Sequence, residues 1–599
     1  MGIVMSTSCG EMILSNDYTD WIIDFELTPE LIEVNKQNTD YCYRQIDSRL
    51  GLVFVRQEQI NPVSLLNYTY QRIPALFGLE QDSTVVSGQP YDPTPLINSG
   101  ITQVQRAPLS LSGKGTIIAF LDTGIDYRNP VFLRSDGSSR ILAIWDQTIQ
   151  EGEPPEGFDY GTEYSREKIN EALAAEEPLE IVPSRDDNGH GTAVASVAAG
   201  SPVTDGGAFI GAAPEADIVV VKLKECKPYL RDYYLLPQDV PAYQSTDIIM
   251  ALEYADSFAR AFYRPVIFCI GVGTNLGSHS GNSPLSAYLS RIAAKRSRVV
   301  VIAGGNEGDS ATHFAGRLNP VGMKIDEQAG ENPFQEEIEI RVGEGERGFL
   351  AEIWGKSPNV FSLAIRSPGG EIIPNTGVKV DRGVEYSFVY EKTSITVSYA
   401  LVEGVSGDEL ITLRFVSPTP GIWTVILQQD SGLPGAEFHV WLPLSQFLST
   451  ETYFLQPNPN ITLTVPSYAD ECITVSSYAD RTNSIYVRSG RGFSRGSTIK
   501  PDVAAPAVDV SVVVKGLPKE VRLGRMTGSS MAAAITAGGV AQLMQWAVTD
   551  KNANYFRSNE VKNYLIRGAV RDENLSYPNR QWGFGKLSIQ GVFDSIAGA

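Results

Sequence analysis

The chain has 599 residues, of which 42% are hydrophobic and 20% charged, the composition of a water-soluble folded protein. A chain of this length is too long for one compact core and indicates two or three domains. Its 70 acidic residues outnumber its 49 basic ones, which gives a net charge of −21. A surface of that sign repels nucleic acid and anionic membranes, so neither is expected as a partner.

The amino terminus has no basic segment followed by a long apolar run, so no secretory signal peptide is expected. No apolar run long enough to cross a bilayer is expected either. The five cysteines are scattered and odd in number, which favours buried thiols over a framework of disulfides. Together these features predict a cytoplasmic protein.

Residues 1–85 are predicted to form a separate α+β module. Residues 20–26 and 52–55 have the composition of strands, and residues 28–38 begin like a helix with a proline in its first turn. Residues 81–95 are polar and rich in serine, glycine and proline, which is typical of an exposed linker.

Residues 86–327 are predicted to form the first part of a doubly wound α/β domain with a parallel sheet, because predicted strands alternate with helices there. The apolar run 115–121 predicts a strand buried on both faces. It delivers Asp122 at its carboxyl end, where open α/β sheets place their sites. Further elements are predicted as a helix at 165–175, a helix of small residues at 193–200, and strands at 217–222 and 265–270.

Three polar residues of this region stand among glycines. His190 lies between Gly189 and Gly191, just before the helix of small residues. Asn306 follows Gly304 and Gly305 after the apolar run 299–302, so a strand is predicted to end in a turn that presents an amide side chain.

Residues 328–450 are predicted to form an inserted β-sandwich or jelly roll. Short alternating segments, separated by turns rich in proline and glycine, lie at 338–342, 361–365, 395–399 and 423–427. No motif there suggests chemistry, and carbohydrate binding lacks any motif, so a rigid brace or docking surface is the interpretation. Residues 451–599 then complete the α/β domain.

An acid, an imidazole and a hydroxyl, each among small residues, are the groups needed for acyl transfer by an activated serine. Asp122, His190 and Ser530 supply them. The triplet Asp-Thr-Gly also occurs in aspartic proteases, which need two carboxylates that share a proton, but this chain has one such triplet. Ser530 could in addition cap the helix predicted over 531–545, whose dipole would favour negative charge near the serine.

The order Asp, His, Ser is that of subtilisin, and the motifs around the three residues resemble the subtilisin-like serine proteases of peptidase family S8. The resemblance implies a catalytic triad of Asp122, His190 and Ser530, with Asn306 as the oxyanion-hole residue. It also implies that two glycine-rich segments bind extended substrate through Gly271, Val272, Gly273, Gly304 and Gly305.

The same resemblance implies that residues 1–85 are a prodomain, which assists folding and occupies the active site. Self-cleavage is then expected between about residues 80 and 89. An unrelated accessory domain is the alternative.

Two positions depart from the family's pattern: Gly271 stands where a serine is usual, and Ala534 where a proline is usual. The second departure, the β-rich insertion, the missing signal peptide and the tail 577–585 resemble the clostridial Csp-type subtilases associated with spore germination. This resemblance implies a spore-associated location as an alternative to a cytoplasmic one, and a spore cortex-lytic zymogen as the target.

The function expected is therefore that of a serine endopeptidase acting on protein substrates through an acyl-enzyme. The alternative is a subtilase-fold regulatory or sensing protein without catalysis, although such proteins typically lack a triad residue. No cofactor or catalytic metal is needed for this chemistry. Structural calcium occurs in many relatives, but no convincing loop of paired carboxylates is present, and this point stays open.

Overall fold

The computed structural model describes residues 9–25, 41–65, 67–82, 85–203, 209–320, 334–375, 377, 383–449, 451–516, 521–553 and 556–598. The helix predicted at 28–38 lies outside these residues.

The amino-terminal region forms a three-stranded antiparallel sheet in the order β1-β3-β2, with one short helix beside it. Its elements are the helix Cys9–Leu14, β1 (Tyr18–Asp24), β2 (Tyr41–Gln45) and β3 (Leu50–Arg56). The strand predictions for 20–26 and 52–55 are thus confirmed, with each end within two residues of the observed one. Cys226, Cys269 and Cys472 are buried thiols, as the sequence favours, whereas Cys9 and Cys42 form a disulfide that the sequence does not predict.

This amino-terminal sheet packs on the main domain. Ile22, Leu52 and Phe54 are buried in the same apolar cluster as Ile249 of the main domain. Beside them the Lys227 ammonium donates to the Asp20 carboxylate at 2.6 Å, and both side chains are almost fully buried. The module is therefore attached to the main domain by apolar packing and by a buried ion pair.

Residues 57–105 connect the amino-terminal sheet to the main domain. Residues 86–90, in the linker predicted over 81–95, are exposed as expected, but the linker also includes a short strand paired with Gly524 and Arg525 and the start of a helix. Its elements are the 3₁₀ turns Gln57–Gln59 and Tyr70–Arg72, β4 (Leu76–Leu79), β5 (Val86–Ser87), and the helices Thr94–Asn98 and Ile101–Gln105.

The first part of the main domain alternates strands and helices, as predicted. Its strands are β6 (Ile117–Asp122), β7 (Ile141–Asp146), β8 (Thr162–Ser165), β9 (Asp217–Lys222), β10 (Tyr243–Gln244), β11 (Val266–Ile270), β12 (Val272–Gly273) and β13 (Arg298–Ala303). Its helices are Arg166–Ala174, Pro178–Ile181, His190–Ala199, Pro228–Tyr234, Ser245–Phe262 and Pro284–Ala293, with a 3₁₀ turn at Pro130–Phe132. The predicted helix at 165–175 is confirmed, and its Ser165 hydroxyl caps the first turn.

The inserted domain is a sandwich of two antiparallel sheets, which confirms the prediction. One sheet has six strands in the order β14-β23-β16-β21-β20-β19, and the other has five in the order β18-β17-β22-β15-β24. The strands are β14 (His313–Leu318), β15 (Gln335–Val342), β16 (Gly348–Gly355), β17 (Val360–Arg366), β18 (Ile372–Ile373), β19 (Gly383–Ser387), β20 (Ser394–Ala400), β21 (Glu409–Val416), β22 (Gly421–Ser431), β23 (Ala436–Trp441) and β24 (Tyr453–Phe454). A 3₁₀ turn lies at Ser445–Phe447.

The chain then returns to the main domain. The remaining strands are β25 (Ile473–Ala479), β26 (Ser484–Ile485), β27 (Val503–Pro506), β28 (Val510–Val514) and β29 (Arg522–Met526). The remaining helices are Ser529–Met544, which continues into a π-helical turn at Gln545–Thr549, and then Ser558–Gly568 and Ile589–Ala597.

The central sheet has the order β26-β25-β13-β11-β6-β9-β7-β8, with β27 paired to β25. All its pairings are parallel except the edge pairs of β7 with β8 and β25 with β26. Side chains of β6 alternate between two buried clusters, one shared with the helices His190–Ala199 and Ser529–Met544 and one with Ser245–Phe262 and Pro284–Ala293. The sheet is therefore covered on both faces, as predicted from the apolar run 115–121.

Within the described ranges, one helical segment, Ser529–Thr549, is long and apolar enough to cross a membrane by length and composition. The expectation that no such run exists is therefore wrong. However, 89% of its apolar window is buried inside the protein, because this helix packs against the central strands.

Candidate active site

Asp122, His190 and Ser530 meet at the carboxyl edge of the central sheet. His190 Nδ1 lies 2.7 Å from Asp122 Oδ1, and His190 Nε2 lies 3.0 Å from Ser530 Oγ. None of the three residues is more than 2% exposed. Because the Asp122 carboxylate can only accept, the imidazole hydrogen is assigned to Nδ1, which leaves Nε2 free to accept the Ser530 hydroxyl proton.

Different elements bring the three side chains to one place. Asp122 ends β6, while His190 and Ser530 lie in the first turns of two helices on one face of the sheet. Gly189, just before His190, has a φ of +98°, a left-handed conformation that suits glycine and lets the chain turn sharply into the helix. A Cβ on Gly191, just after His190, would lie 2.1 Å from the Gly124 carbonyl oxygen, so this glycine lets the helix start approach the turn after Asp122 closely.

Asp186 connects the Asp122 strand to the start of the His190 helix. One carboxylate oxygen accepts from the Thr123 hydroxyl at 2.8 Å and from the Gly189 N–H at 2.7 Å. The other accepts from both the N–H and the hydroxyl of Thr192 at 2.8 Å. Asp186 is buried and fixes the histidine relative to its aspartate partner. Asp186 is not among the predicted site residues, although an Asp three residues before a glycine at a helix start is a usable turn signal.

Asn306 presents a free donor beside the nucleophile. Its Oδ1 accepts the Ser529 N–H at 3.0 Å, which fixes the orientation of the amide. Its Nδ2 is buried and has no hydrogen-bond partner among the described residues. Buried amide groups are rarely left unpaired, so this donor points to an acceptor that forms during a reaction.

The chain's own residues lie in the adjoining cleft. Strand β4 pairs antiparallel with β12 on one side, through Leu79 opposite Val272, and with β10 on the other, through Phe77 opposite Tyr243. β4 thus lies as an added strand between β10 and β12, which is the mode expected for binding of an extended peptide.

This strand leads directly to the nucleophile. The Glu80 N–H donates to the Gly271 carbonyl at 2.8 Å, and the Ser530 N–H donates to the Glu80 carbonyl at 3.1 Å. Beyond that carbonyl the Asp82 N–H donates to Thr527 O at 3.1 Å. The Glu80–Gln81 peptide bond therefore lies beside Ser530.

The sequence profile of the Subtilase family (peptidase S8) matches residues 113–332 and 453–585, more than half of the chain. The chain belongs to the subtilase family. Most of the β-sandwich, from β15 to β23, lies between the two matched segments.

This subtilase is similar in structure to the CspB protease of Clostridium perfringens, with a TM-score of 0.72 and 29% identity over 84% of this chain and 99% of that one. It is also 29% identical to the subtilisin-like protease SBT1.2 of Arabidopsis thaliana over 224 residues, 33% of this chain. That match spans only 28% of the plant protein's length.

The glycines predicted to bind substrate border the β4 strand and the Glu80 side chain of this subtilase. Gly271 and Val272 pair with β4 and Glu80 as described, and Gly273 lies opposite Gly78. Gly304 and Gly305 contact Thr464, which in turn contacts the Glu80 side chain. The Gly304 carbonyl accepts a hydrogen bond from the Thr464 N–H at 3.4 Å. A Cβ on Gly305 would lie 2.7 Å from Thr464 Cγ2.

The Glu80 carboxyl is buried in a pocket next to Gly273. Its Oε1 accepts from the Thr464 hydroxyl at 2.6 Å, and Glu80 is only 2% exposed. Burial raises the pKa of the Glu80 carboxyl to about 8, against the opposing effect of the Thr464 hydrogen bond, and the nearby Glu307 charge also raises this pKa. At neutral pH the carboxyl is therefore mainly protonated.

The other three histidines do not join the triad. His279 and His313 stack on Trp441, at ring-centroid distances of 4.0 and 4.7 Å, and His439 contacts His313. Burial lowers the pKa of His279 to about 3 and that of His313 to about 4. Their role is packing between the sandwich and the main domain.

Within the described ranges, no group of three or more His, Cys, Asp or Glu side chains is arranged to hold a metal ion. Two more residues have site contacts that the sequence does not predict: the Ser529 backbone N–H orients Asn306, and the Thr464 hydroxyl contacts Glu80. Ser529 stands next to the predicted nucleophile and Thr464 in no local motif, and only the folded chain shows what each contacts.

Proposed function

We propose that this subtilase is a serine endopeptidase that hydrolyses protein substrates through an acyl-enzyme on Ser530. The observation that carries the proposal is the continuous hydrogen-bonded chain from Asp122 through His190 to Ser530, at 2.7 and 3.0 Å. Such a relay lets a neutral imidazole activate a serine hydroxyl.

The steps follow from the atoms in place. Ser530 Oγ attacks the substrate carbonyl carbon as His190 Nε2 takes its proton, and Asp122 stabilises the resulting imidazolium. The oxyanion accepts hydrogen bonds from the Ser530 N–H and from Asn306 Nδ2, the donor that has no partner among the described residues. The imidazolium then protonates the leaving amine, and water attacks the acyl-enzyme by the same route in reverse.

We further propose that the residues up to Glu80 are a prodomain and that the enzyme cleaves its own Glu80–Gln81 bond. Three contacts support this: β4 pairs as an added strand, the Ser530 N–H binds the Glu80 carbonyl, and the Glu80 N–H binds the Gly271 carbonyl. The bond lies at the start of the region, residues 80 to 89, in which cleavage was expected. The buried Lys227–Asp20 pair and the apolar contacts of the module favour its retention after cleavage.

Labelling with a fluorophosphonate, followed by peptide mapping, tests the enzymatic proposal. The label is expected on Ser530, and it is expected to be lost in Ser530→Ala and strongly reduced in His190→Ala. Ser595→Ala is the matched control, since Ser595 lies in the carboxyl-terminal helix. If no serine is labelled, with the prodomain present or displaced by mild denaturant, the protein is a binding or sensing subtilase and the proposal is wrong.

For the physiological substrate we propose a zymogen of spore cortex lysis, and for the location the cytoplasm or the spore. The support is the Csp-type resemblance of the sequence and the similarity to the Clostridium perfringens CspB protease. Incubating the processed protein with an extract of dormant spores and mapping new protein amino termini tests this. Cuts confined to abundant unfolded proteins would contradict it.

A further inference from the structure

Gly273 lies in the wall of the pocket that holds the Glu80 side chain. A Cβ on Gly273 would lie 1.9 Å from Glu80 Oε1 and 2.4 Å from Thr464 Oγ1. The glycine is therefore needed to leave room for the carboxyl group beside the threonine. The Glu80 carboxyl and the Thr464 hydroxyl therefore occupy the space next to Gly273.

The pocket binds the carboxyl by neutral groups. The Thr464 hydroxyl donates to Oε1 at 2.6 Å, and the Asn306 backbone lowers the pKa of the carboxyl, against the larger effect of burial. Thr464 is itself held rigidly, because its N–H binds the Gly304 carbonyl and its neighbour Val465 pairs with Thr274. A hydroxyl can donate or accept, so this wall fits an acid or an amide equally well.

The charged groups nearest to the pocket do not neutralise a carboxylate. Glu307, in the turn after β13, is buried and carries the wrong sign. Arg488, in the loop after β26, acts on Glu80 only from a distance, because its guanidinium contacts the carboxylates of Asp82 and Asp309. A charged carboxylate in this pocket would have no direct cationic partner among the described residues.

We propose that this pocket makes the enzyme selective for an uncharged γ-carbonyl group on the residue before the cleaved bond, either glutamine or protonated glutamate. Thr464 and Gly273 are the residues that determine this selectivity. The inference rests on the proposed function, since it treats Glu80 as the residue before the cleaved bond.

Two properties of the pocket exclude other side chains. Lysine or arginine would bring a buried cation, and the nearby Glu307 carboxylate already accepts hydrogen bonds from the Ser445 hydroxyl and the Asn275 amide. Ionised glutamate would bring an anion without a contacting cation, and burying either charge is costly. Methionine is similar in length but has no carbonyl, so the Thr464 hydroxyl would lose its partner. The raised pKa of the Glu80 carboxyl is in keeping with a site that takes the neutral form.

Self-cleavage of the full chain measures this selectivity with one residue changed at a time. Relative to wild type, Glu80→Gln is expected to be cleaved at a similar rate at pH 7, and roughly tenfold faster at pH 9, one unit above the Glu80 pKa of about 8. Glu80→Met is expected to be about tenfold slower than Glu80→Gln, and Glu80→Lys at least about a hundredfold slower. Glu176→Gln, at an exposed glutamate, is the matched control.

Because a Glu80 variant can impair folding, the same comparison is made on peptides. The processed enzyme, with its prodomain displaced by mild denaturant and then diluted, is given Leu-Phe-Gly-Leu-X-Gln-Asp peptides with X as Gln, Glu, Met or Lys. Thr464→Val is expected to reduce the roughly tenfold preference for Gln over Met to near unity. Thr482→Val, at an exposed threonine, is expected to leave the preference unchanged.

The outcomes separate the two proposals. Cleavage at Glu80–Gln81 with equal rates for Gln, Met and Lys would overturn the pocket inference and leave the serine endopeptidase intact. Cleavage at a different bond would also overturn it. No cleavage of any chain or peptide, together with no fluorophosphonate label on Ser530, would overturn both.

Discussion

The Ser530 N–H donates to the carbonyl oxygen of Glu80 at 3.1 Å, so the chain's own backbone lies across its candidate nucleophile. Glu80 is also held through its own N–H, which donates to the Gly271 carbonyl at 2.8 Å. Of the two proposed oxyanion donors, the Ser530 N–H is thus already engaged with the carbonyl, while Asn306 Nδ2 has no partner among the described residues. This arrangement is the one that the proposed self-cleavage requires before attack.

Asn306 is expected to act in the transition state more than in the ground state, because its Nδ2 has no acceptor before the reaction. Asn306→Ala should therefore lower kcat on a peptide substrate and leave KM within a few-fold. In subtilisin, loss of such a donor costs on the order of 10²–10³ in kcat, and we adopt that magnitude. Steady-state kinetics check this, with exposed Asn563→Ala as the control. A rise in KM at unchanged kcat would contradict the assignment.

Asp186 is expected to stabilise the loop before His190. Asp186→Ala leaves the buried donors of Thr123, Gly189 and Thr192 without their acceptor, so the free energy of unfolding should fall by on the order of 3 kcal/mol. Urea unfolding of the inactive Ser530→Ala protein measures this loss without interference from proteolysis. The neighbouring Asp187→Ala, whose side chain is 74% exposed, should change stability by less than about 0.5 kcal/mol. Equal effects of the two substitutions would refute the role given to Asp186.

Glu80 is expected to make stability depend on pH. Its pKa is raised from 4.5 to about 8 in the folded chain, first by burial. Below pH 4.5 the Glu80 carboxyl is protonated in both the folded and the unfolded chain, so its titration does not affect stability. As the pH rises from 4.5 towards 8, the carboxyl ionises in the unfolded chain and stays protonated in the folded one. Stability should thus fall by about 1.4 kcal/mol per pH unit in this window and level off above it.

A pair of inactive variants isolates this effect. Ser530→Ala and Ser530→Ala with Glu80→Gln differ only in the titrating group, so the difference between their unfolding free energies should change from pH 5 to pH 8. Other buried carboxyls cancel in the comparison. A difference that stays constant with pH would show that Glu80 titrates normally.

Gly273 is expected to tolerate no side chain while Glu80 occupies its pocket. Gly273→Ala should slow self-cleavage at least about a hundredfold, because the added Cβ would lie 1.9 Å from Glu80 Oε1. Gly404→Ala, where a Cβ would meet nothing within 4 Å, should have no effect. Fluorophosphonate labelling and the melting temperature show whether the fold survives. Normal cleavage in a stable Gly273→Ala protein would refute the close contact.

Much of the fold could be predicted from the sequence, because local patterns of apolar and polar residues indicate its strands and helices. The apolar run ending in Asp122 predicted a strand buried on both faces, and the alternating segments of the insertion predicted a sandwich. Motifs of small residues around His190, Asn306 and Ser530 predicted the candidate site, since close packing at a reacting centre leaves few residue choices.

The rest depends on contacts between distant segments. Strand β4 has too short an apolar pattern to be recognised, and it exists because β10 and β12 pair with it from far along the chain. Thr464 and Asp186 are defined by what they contact, which no local pattern records. An odd number of scattered cysteines gives no sign of the Cys9–Cys42 pair, because the proximity of two cysteines depends on the folded sheet.

The most direct test is the mass and amino-terminal sequence of the purified protein and of Ser530→Ala, expressed and handled identically. The wild-type chain is predicted to be cut once, between Glu80 and Gln81, with the new amino terminus at Gln81, while Ser530→Ala stays a single chain of 65.2 kDa. A wild-type protein that stays uncut under all conditions, or a Ser530→Ala protein cut at the same bond at the same rate, would contradict catalysis by Ser530.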